Sequence, residues 1–283
     1  MAQGVMQKDI ENALHRIGIK QGDTVLVHSS LKSFGHVENG ADTVIDALLA
    51  GVGSEGTVVF PTFVQEDFQN AYKTWYMDKP SDTGRITEIA RKRADAYRSN
   101  QATHSVAAIG RDASFLTKEH GESGKRNGIF GDTPFAKASP WQKMYDRNAV
   151  VLLCGVGFPK NTFMHFWEYI IAEKVLEAAR KNGTYESVSK KLRCFETRLS
   201  EDQSLHFPRL RADCIDVIAT NGGFLQKEIC GAATLTKFHA MNLGKAVLAD
   251  VATRPWWWFP KEREEWIRRA FNGDIPADAF YKE

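Results

Sequence analysis

The chain has 283 residues, of which 43% are hydrophobic and 25% are charged. This composition is typical of a globular protein with a sizeable core, and it excludes the disordered and fibrous classes. The 37 basic residues exceed the 35 acidic residues by only two. No basic stripe is interleaved with aromatic residues, so nucleic-acid binding is not predicted.

No segment has the apolar run of a signal peptide or of a membrane-spanning helix. The four cysteines are widely spaced and form no CxxC pair, which is typical of reduced thiols and not of a disulfide framework or a zinc site. The sequence therefore predicts a cytoplasmic protein without a membrane partner or a bound metal.

Strand and helix patterns alternate along the first half of the chain. Helical spacing is present over 6–17, 40–52 and 85–98, and short apolar runs predict strands over 24–28, 57–60 and 103–110. Residues 63–84 form a long irregular segment that is rich in aromatic and acidic residues, a composition typical of a binding loop.

In the second half, Ser139 and Pro140 begin a helix as its cap and first residue, and a buried strand over 149–154 feeds a long helix that ends near Lys181. Weaker patterns predict strands over 192–199 and 229–234, a helix from Thr236 to Ala249 and a terminal helix over 261–271. This alternation predicts a layered α/β fold in a single compact domain over 1–283.

His165 and Glu168 lie near the start of the long helix, three residues apart and therefore on one face. A histidine that is oriented by a carboxylate is the simplest arrangement that can act as a general base. The surrounding side chains are apolar nearly all round the helix, and burying a titratable pair is costly without a purpose. A chance pair on the surface is the alternative.

Residues 29–35 connect the first strand to a helix and are rich in hydroxyl groups and glycine. Such a turn offers backbone N–H groups and hydroxyls to an anion or to an extended polar ligand, whereas a plain turn is the alternative. No Walker sequence or GxGxxG is present, so nucleotide hydrolysis and dinucleotide binding are not predicted.

Six short segments carry a resemblance when they are taken together in their order along the chain. They are 28–31, 83–84 with Glu88, 98–99, 104–110, 139–140 and 152–168. In this order and with these gaps they resemble the aminoglycoside 3-N-acetyltransferase family, which is distinct from the GNAT acetyltransferases. Asn-Thr-x-x-His-x-x-Glu, at 161–168, is the most specific element. The resemblance covers residues 5–180 well, and 181–283 form a divergent region on the acceptor side.

The resemblance implies a layered α/β/α fold with a mixed, largely antiparallel sheet. It also implies an acyltransferase of antibiotic resistance, with acetyl-CoA (coenzyme A) as the donor and a small-molecule amine, an aminoglycoside or a related amino compound, as the acceptor. His165 would act as general base in a direct attack, Glu168 would orient it, and Thr162 would stabilise the thioester oxygen as it becomes negative. The coenzyme is expected at His28, Ser29, Ser30, Leu31, Ser33, Phe34, Gly35, His104 and Ser105. The acceptor is expected at Glu66, Asp67, Trp75, Tyr76 and Asp82.

Gln101 and Ala102 stand where the family usually has a His-Pro pair, so the pocket wall beside the coenzyme is expected to differ. The C-terminal third matches the resistance enzymes poorly, which leaves open a different acceptor, a natural-product or metabolite amine. A metal-dependent hydrolase that uses His165 and Glu168, a catalytically silent binding protein and a homodimer also stay open. Cys154 is disfavoured as a nucleophile because it ends a buried strand.

Overall fold

The structure is a computed structural model, and it describes residues 4–64, 71–120, 134–198 and 208–281. Within these ranges the chain forms two compact units. The first comprises 4–64, 71–120, 134–161 and 224–241, and the second comprises 162–198, 208–223 and 242–281. The prediction of one compact domain over 1–283 stays a prediction.

The described residues of the first unit form a seven-stranded sheet in the order β3-β4-β2-β1-β5-β7-β6. Its strands are β1 (Thr24–Ser29), β2 (Thr57–Pro61), β3 (Tyr97–Arg98), β4 (Val106–Gly110), β5 (Val150–Cys154), β6 (Gln226–Cys230) and β7 (Ala233–His239). Strand β1 pairs in parallel with β2 and β5, and the other four pairings of this sheet are antiparallel. The predicted mixed, largely antiparallel sheet of an α/β fold is therefore confirmed.

This topology brings several strand ends to one edge of the sheet, which we call the carboxyl edge. Strands β1, β2 and β5 all end there, and Ser29 lies opposite Cys154 in the register. Strand β4 runs in the opposite direction, so it begins at this edge with Val106 opposite Pro61. Loops at such an edge are where α/β sheets commonly hold ligands.

The first unit also contains short and medium-length helices. They are α1 (Gln7–Arg16), α2 (Ala41–Val52), α3 (Ala71–Thr74), α4 (Arg85–Ala90), α5 (Ala113–Thr117) and α6 (Pro140–Asp146), with 3₁₀ turns at Leu31–Phe34 and Phe158–Lys160. Leu14, Leu48 and Ile86 bring α1, α2 and α4 into one apolar cluster with the sheet. Ser139 caps α6 as predicted, because its side chain accepts a hydrogen bond from the Gln142 N–H.

The secondary-structure elements among the described residues of the second unit are all helices. Its helices are α7 (Phe163–Lys181), α8 (Tyr185–Arg198), α9 (Ala212–Asn221), α10 (Ala240–Thr253, whose first two residues belong to the first unit), α11 (Pro255–Trp258) and α12 (Lys261–Ala270). Helix α12 packs against α7 and α8, and the Trp266 indole N–H donates to the Val188 carbonyl at 2.8 Å. No helix among the described residues is both long and apolar enough to span a membrane.

Four predicted elements are wrong. Residues 229–234, expected to form one strand, contain the turn between β6 and β7, where Gly231 has a φ of 57°. The strand expected over 192–199 is helical to Arg198, because the apolar residues Val188 and Leu192 are four apart and both face the core. The helix expected over 85–98 ends at Ala90 in a series of turns, and its last two residues form β3. Thr236 begins no helix, because it lies inside β7, which pairs with a strand on each side.

Candidate active site

His165 and Glu168 form a hydrogen-bonded pair in the first turns of α7. The Nδ1 atom of His165 lies 2.9 Å from Oε2 of Glu168. The Glu168 side chain is fully buried, whereas that of His165 is 20% exposed. The backbone N–H of Leu210 donates to the second oxygen, Oε1, at 2.7 Å. Both carboxylate oxygens are therefore engaged, and the ring of His165 is fixed with Nε2 directed away from Glu168.

Opposing effects act on the Glu168 carboxyl. Burial raises its pKa, while His165, the Leu210 N–H and the positive charge of Arg209 oppose that rise. Arg263 also interacts electrostatically with Glu168, although burial lowers the pKa of this arginine. When Glu168 is ionised it accepts the Nδ1 proton of His165, which makes Nε2 the ring atom that can take up a proton.

Thr162 occupies the N-cap position of α7, and its side chain does not cap the helix. The residue is buried, and its carbonyl accepts hydrogen bonds from the N–H groups of His165, at 3.0 Å, and Phe166, at 3.4 Å. The His165 N–H is therefore already used, and the positive end of the helix dipole at the start of α7 can stabilise negative charge.

The residues that the sequence assigns to the coenzyme gather at the carboxyl edge of the first unit. The Ser30 N–H donates to the Cys154 carbonyl at 3.0 Å, which joins the ends of β1 and β5. The Thr62 N–H donates to the Ser105 carbonyl at 2.8 Å, which joins the end of β2 to the start of β4. The sheet thus brings Ser29, Ser30 and Ser105 to a common edge. His165 belongs to the other unit.

Within residues 28–35, several groups that were expected to receive an anion are already used. The N–H groups of Ser30, Ser33 and Gly35 donate to backbone carbonyls. The Ser33 hydroxyl donates to the Gly155 carbonyl at 3.0 Å, and His28 and Phe34 are buried. The partly exposed hydroxyls of Ser29 and Ser30 have no hydrogen-bond partner among the described residues. These two hydroxyls are therefore the groups best placed to contact a ligand, together with the half-buried Leu31.

His104 is buried where the chain enters β4, with Nδ1 at 3.0 Å from the Thr103 hydroxyl. Its ring packs against Phe63 and Phe135, with ring centroids 5.4 and 4.8 Å away. The side-chain oxygen of Gln101 accepts the N–H groups of Thr103, at 2.8 Å, and His104, at 2.5 Å. Gln101 therefore organises the turn that leads to His104.

The residues expected to bind the acceptor are only partly described. Glu66 and Asp67 lie outside the described residues. The indole N–H of Trp75 donates to Asn100 at 2.8 Å, so this ring is held by the protein itself. Tyr76 is 56% exposed, and Asp82 is exposed.

Cysteine nucleophiles and metal binding are two other kinds of chemistry that the sequence raises for this protein. Burial raises the pKa of the Cys154 thiol and raises that of Cys230 to about 11, so both thiols are poor nucleophiles. This agrees with the interpretation of Cys154 as packing. Among the described residues, no three His, Cys, Asp or Glu side chains are grouped closely enough to hold a metal ion.

Known proteins resemble this chain in both sequence and structure. Residues 26–253 match the family described as aminoglycoside 3-N-acetyltransferase. The aminoglycoside N(3')-acetyltransferase-like protein YokD of Bacillus subtilis is 33% identical over 186 residues, which are 58% of this chain and 65% of that protein. Aminoglycoside N(3)-acetyltransferase III of Salmonella is 30% identical over 181 residues, covering 58% of this chain and 60% of that one. The chain thus spans less than two thirds of these relatives.

The fold is also found in solved structures. The apoenzyme of aminoglycoside acetyltransferase AAC(3)-IVa superposes with a TM-score of 0.67 at 17% identity, over 99% of this chain and 98% of that chain. AAC-IIIb in its binary complex with CoASH gives a TM-score of 0.67 at 17% identity, over 89% of this chain and 98% of that chain. The matched family covers more than half of the sequence, and the fold agrees. The chain belongs to the aminoglycoside 3-N-acetyltransferase family.

One contribution to the site could not have been found from the sequence. The N–H of Leu210 fixes Glu168 from 42 residues away. A backbone donor has no side-chain signature, so only the fold reveals it. Thr62 was also missed, although its hydroxyl lies 3.1 Å from that of Ser105.

Proposed function

We propose that this protein transfers the acetyl group of acetyl-CoA to an amine of an aminoglycoside or a related amino compound, with His165 as the general base. One observation carries the proposal: Glu168 is fully buried and uses both oxygens, one toward His165 and one toward the Leu210 N–H. A surface pair formed by chance would be neither buried nor anchored on both sides. Membership of the family supports the reaction class.

The carboxyl edge has groups that suit the donor. The pantetheine arm of coenzyme A is an extended chain of amides, which fits the partly exposed hydroxyls of Ser29 and Ser30. Lys32 follows them and is exposed, so its ammonium group can bind a phosphate group of coenzyme A. A complex of AAC-IIIb with CoASH is known. We therefore assign these residues to the donor, together with Ser105 just before β4, two strands away in the sheet.

His165 performs the proton transfer. Its Nε2 accepts the proton of the amine as the amine nitrogen forms a bond to the thioester carbonyl carbon, and Glu168 stabilises the resulting imidazolium. Thr162 and the N–H groups at the start of α7 stabilise the carbonyl oxygen while it carries negative charge. The carbon–sulfur bond then breaks, and the imidazolium returns the proton to the sulfur. The products are an acetamide and free coenzyme A thiol.

The ligands of solved structures with this fold support the proposed acceptor class. AAC(3)-IVa in a mutant form binds a gentamicin and apramycin, and AAC-VIa binds sisomicin. These ligands are polyamines on sugar rings. We therefore expect an amine on a ring scaffold, and a panel of aminoglycosides and simpler amino sugars is the direct way to rank candidates.

The test measures release of free thiol from acetyl-CoA in the presence of each amine. His165→Ala should lower kcat by about 10²- to 10⁴-fold. Glu168→Gln keeps the shape and one acceptor oxygen but cannot stabilise the imidazolium, so it should lower kcat less than His165→Ala. His15→Ala changes an exposed histidine of α1 and serves as the control with full activity. An unchanged rate in His165→Ala would remove the proposed base.

A further inference from the structure

Arg98, on edge strand β3, has its guanidinium surrounded by backbone carbonyls. Its Nη1 donates to the carbonyls of Met77, at 2.7 Å, and Lys79, at 2.6 Å. Its Nη2 donates to the carbonyl of Thr62 at 2.5 Å. The same group stacks on Trp75, with Cζ 4.7 Å from the ring centroid. A single side chain thus joins the end of β2 to the segment 75–80.

Among the described residues, the hydrogen-bond partners of the Arg98 guanidinium are the carbonyls named above, and its stacking partner is the indole ring. Burial and repulsion from Arg91 lower the pKa of Arg98 to about 10. The negative charges of Glu88 and Asp78 also act on it electrostatically and oppose the fall of its pKa. Removing a cation from water is costly, and three carbonyls offset that cost at Nη1 and Nη2, whereas the buried Nε has no hydrogen-bond partner in the described part of the chain.

Segment 75–80 is itself a closed turn. The Lys79 N–H donates to the Tyr76 carbonyl at 3.0 Å, and the Lys79 ammonium donates to the Thr74 hydroxyl at 2.6 Å. The Trp75 indole N–H is fixed by Asn100. The turn leaves two large apolar side chains in contact with solvent, because Tyr76 is 56% and Met77 is 41% exposed.

The turn lies at the carboxyl edge. The Thr62 carbonyl that accepts Arg98 also accepts the Ser105 hydroxyl, at 3.0 Å. The Thr83 hydroxyl, a few residues beyond the turn, donates to the Pro61 carbonyl at 2.7 Å. Arg98 therefore acts on the same carbonyl as Ser105, one of the residues assigned to the donor.

We propose that Arg98 is a positioning residue that fixes segment 75–80 beside the end of β2, so that Tyr76 and Met77 form a wall against the ring scaffold of the acceptor amine. This inference rests on the proposed function. It assigns to the turn a ligand with an apolar ring face, such as a sugar or an aromatic ring, because tyrosine and methionine pack against such faces. Arg98 itself does not touch the acceptor.

The kinetic test compares Arg98→Met with the wild-type protein. The KM for the amine should rise about tenfold, because the wall is no longer held in place. The KM for acetyl-CoA should stay within about twofold, because donor residues remain anchored by the sheet. An amine KM that does not change, or an equal rise in both KM values, overturns the proposal. If Arg98→Met does not fold, Arg98→Lys is tested by the same criteria, because it keeps the charge without the planar fork.

A second measurement does not depend on activity. Chymotrypsin cleaves after Trp75 and Tyr76, and mass spectrometry follows this cleavage in the folded protein. Release of the turn should accelerate it about tenfold in Arg98→Met, because a freed segment samples the open state more often. An unchanged cleavage rate in Arg98→Met overturns the positioning role of Arg98, whether or not any amine is acetylated. A wild-type protein that transfers no acetyl group refutes the proposed function instead.

Arg93 provides the matched control. It is also a partly buried arginine of the first unit, but it pairs with Asp42 and Asp46 of α2. Arg93→Met should leave both KM values and the cleavage at 75–76 unchanged. A similar effect in this variant would show that loss of any arginine loosens the turn, and the proposal would then fail.

Discussion

His120 gives the sharpest prediction about stability, because its hydrogen bonds define a single protonation state. The ring is buried, and its Nε2 lies 2.9 Å from the Pro134 carbonyl, which can only accept. Its Nδ1 lies 2.8 Å from the Ser99 hydroxyl. That hydroxyl accepts the Val106 N–H at 2.9 Å, so it donates its proton to Nδ1. The neutral ring is therefore the form that the fold accommodates.

The magnitude follows from this geometry. Burial lowers the pKa of His120 from 6.5 to about 3, and the positive charge of Lys143 adds to the effect. The unfolded chain binds a proton below about pH 6.5 and the folded chain only near pH 3, so stability is lost as the pH falls through this window. Each pH unit costs about 1.4 kcal/mol. Going from pH 7 to pH 5 should therefore cost about 2 kcal/mol from this residue alone.

Urea unfolding at pH 7, 6 and 5 measures this contribution in the wild type and in His120→Gln. Glutamine can accept from Ser99 and donate to Pro134, but it does not titrate. The wild type should therefore lose about 2 kcal/mol more than the variant between pH 7 and pH 5. His15→Gln, at an exposed position of α1, should follow the wild type. Equal pH dependence in the wild type and in His120→Gln would refute the reasoning.

Substitutions at three further positions test the contacts of individual residues. Ser139→Ala removes the cap of α6 and should lower the free energy of unfolding by about 1 kcal/mol in urea. Gln101→Ala leaves two buried N–H groups without an acceptor and should cost about 2 kcal/mol in the same assay. Leu210→Pro and Leu210→Ala both remove the leucine side chain, but only proline removes the N–H that fixes Glu168. The kcat of Leu210→Pro should therefore be about tenfold lower than that of Leu210→Ala. Equal kcat values would show that the hydrogen bond from the Leu210 N–H to Glu168 does not support catalysis.

The fold was predictable from the sequence where one face of an element is apolar. Helices α1, α2, α7 and α12 follow from helical spacing, and β1, β2 and β5 from short apolar runs. Strand β7 was misread because its buried face includes Lys237, whose ammonium donates to the Gly18 carbonyl at 2.9 Å. An inward lysine hides the alternation of a strand, and Thr236 then resembles a helix cap.

The candidate site was predictable where the chemistry lies in one short segment. His165 and Glu168 are three residues apart, so helical geometry alone brings them together. Residues 63–84 were expected to form a binding loop, but the sequence could not show that Trp75 is held by Arg98 and Asn100. Such contacts join distant segments, and no local pattern encodes them.

Two segments of the second unit contribute to the proposed general base. Helix α7 carries His165 and Glu168, and the segment before α9 supplies the Leu210 N–H that holds Glu168. A carboxylate in water orients a histidine poorly, because water competes for both oxygens. Burial removes this competition but raises the pKa of Glu168, so the ionised form needs a second donor, which is the Leu210 N–H. Leu210 lies 42 residues beyond Glu168, in the segment that precedes α9. Changes in that segment can therefore alter the strength of the base without replacing His165 or Glu168.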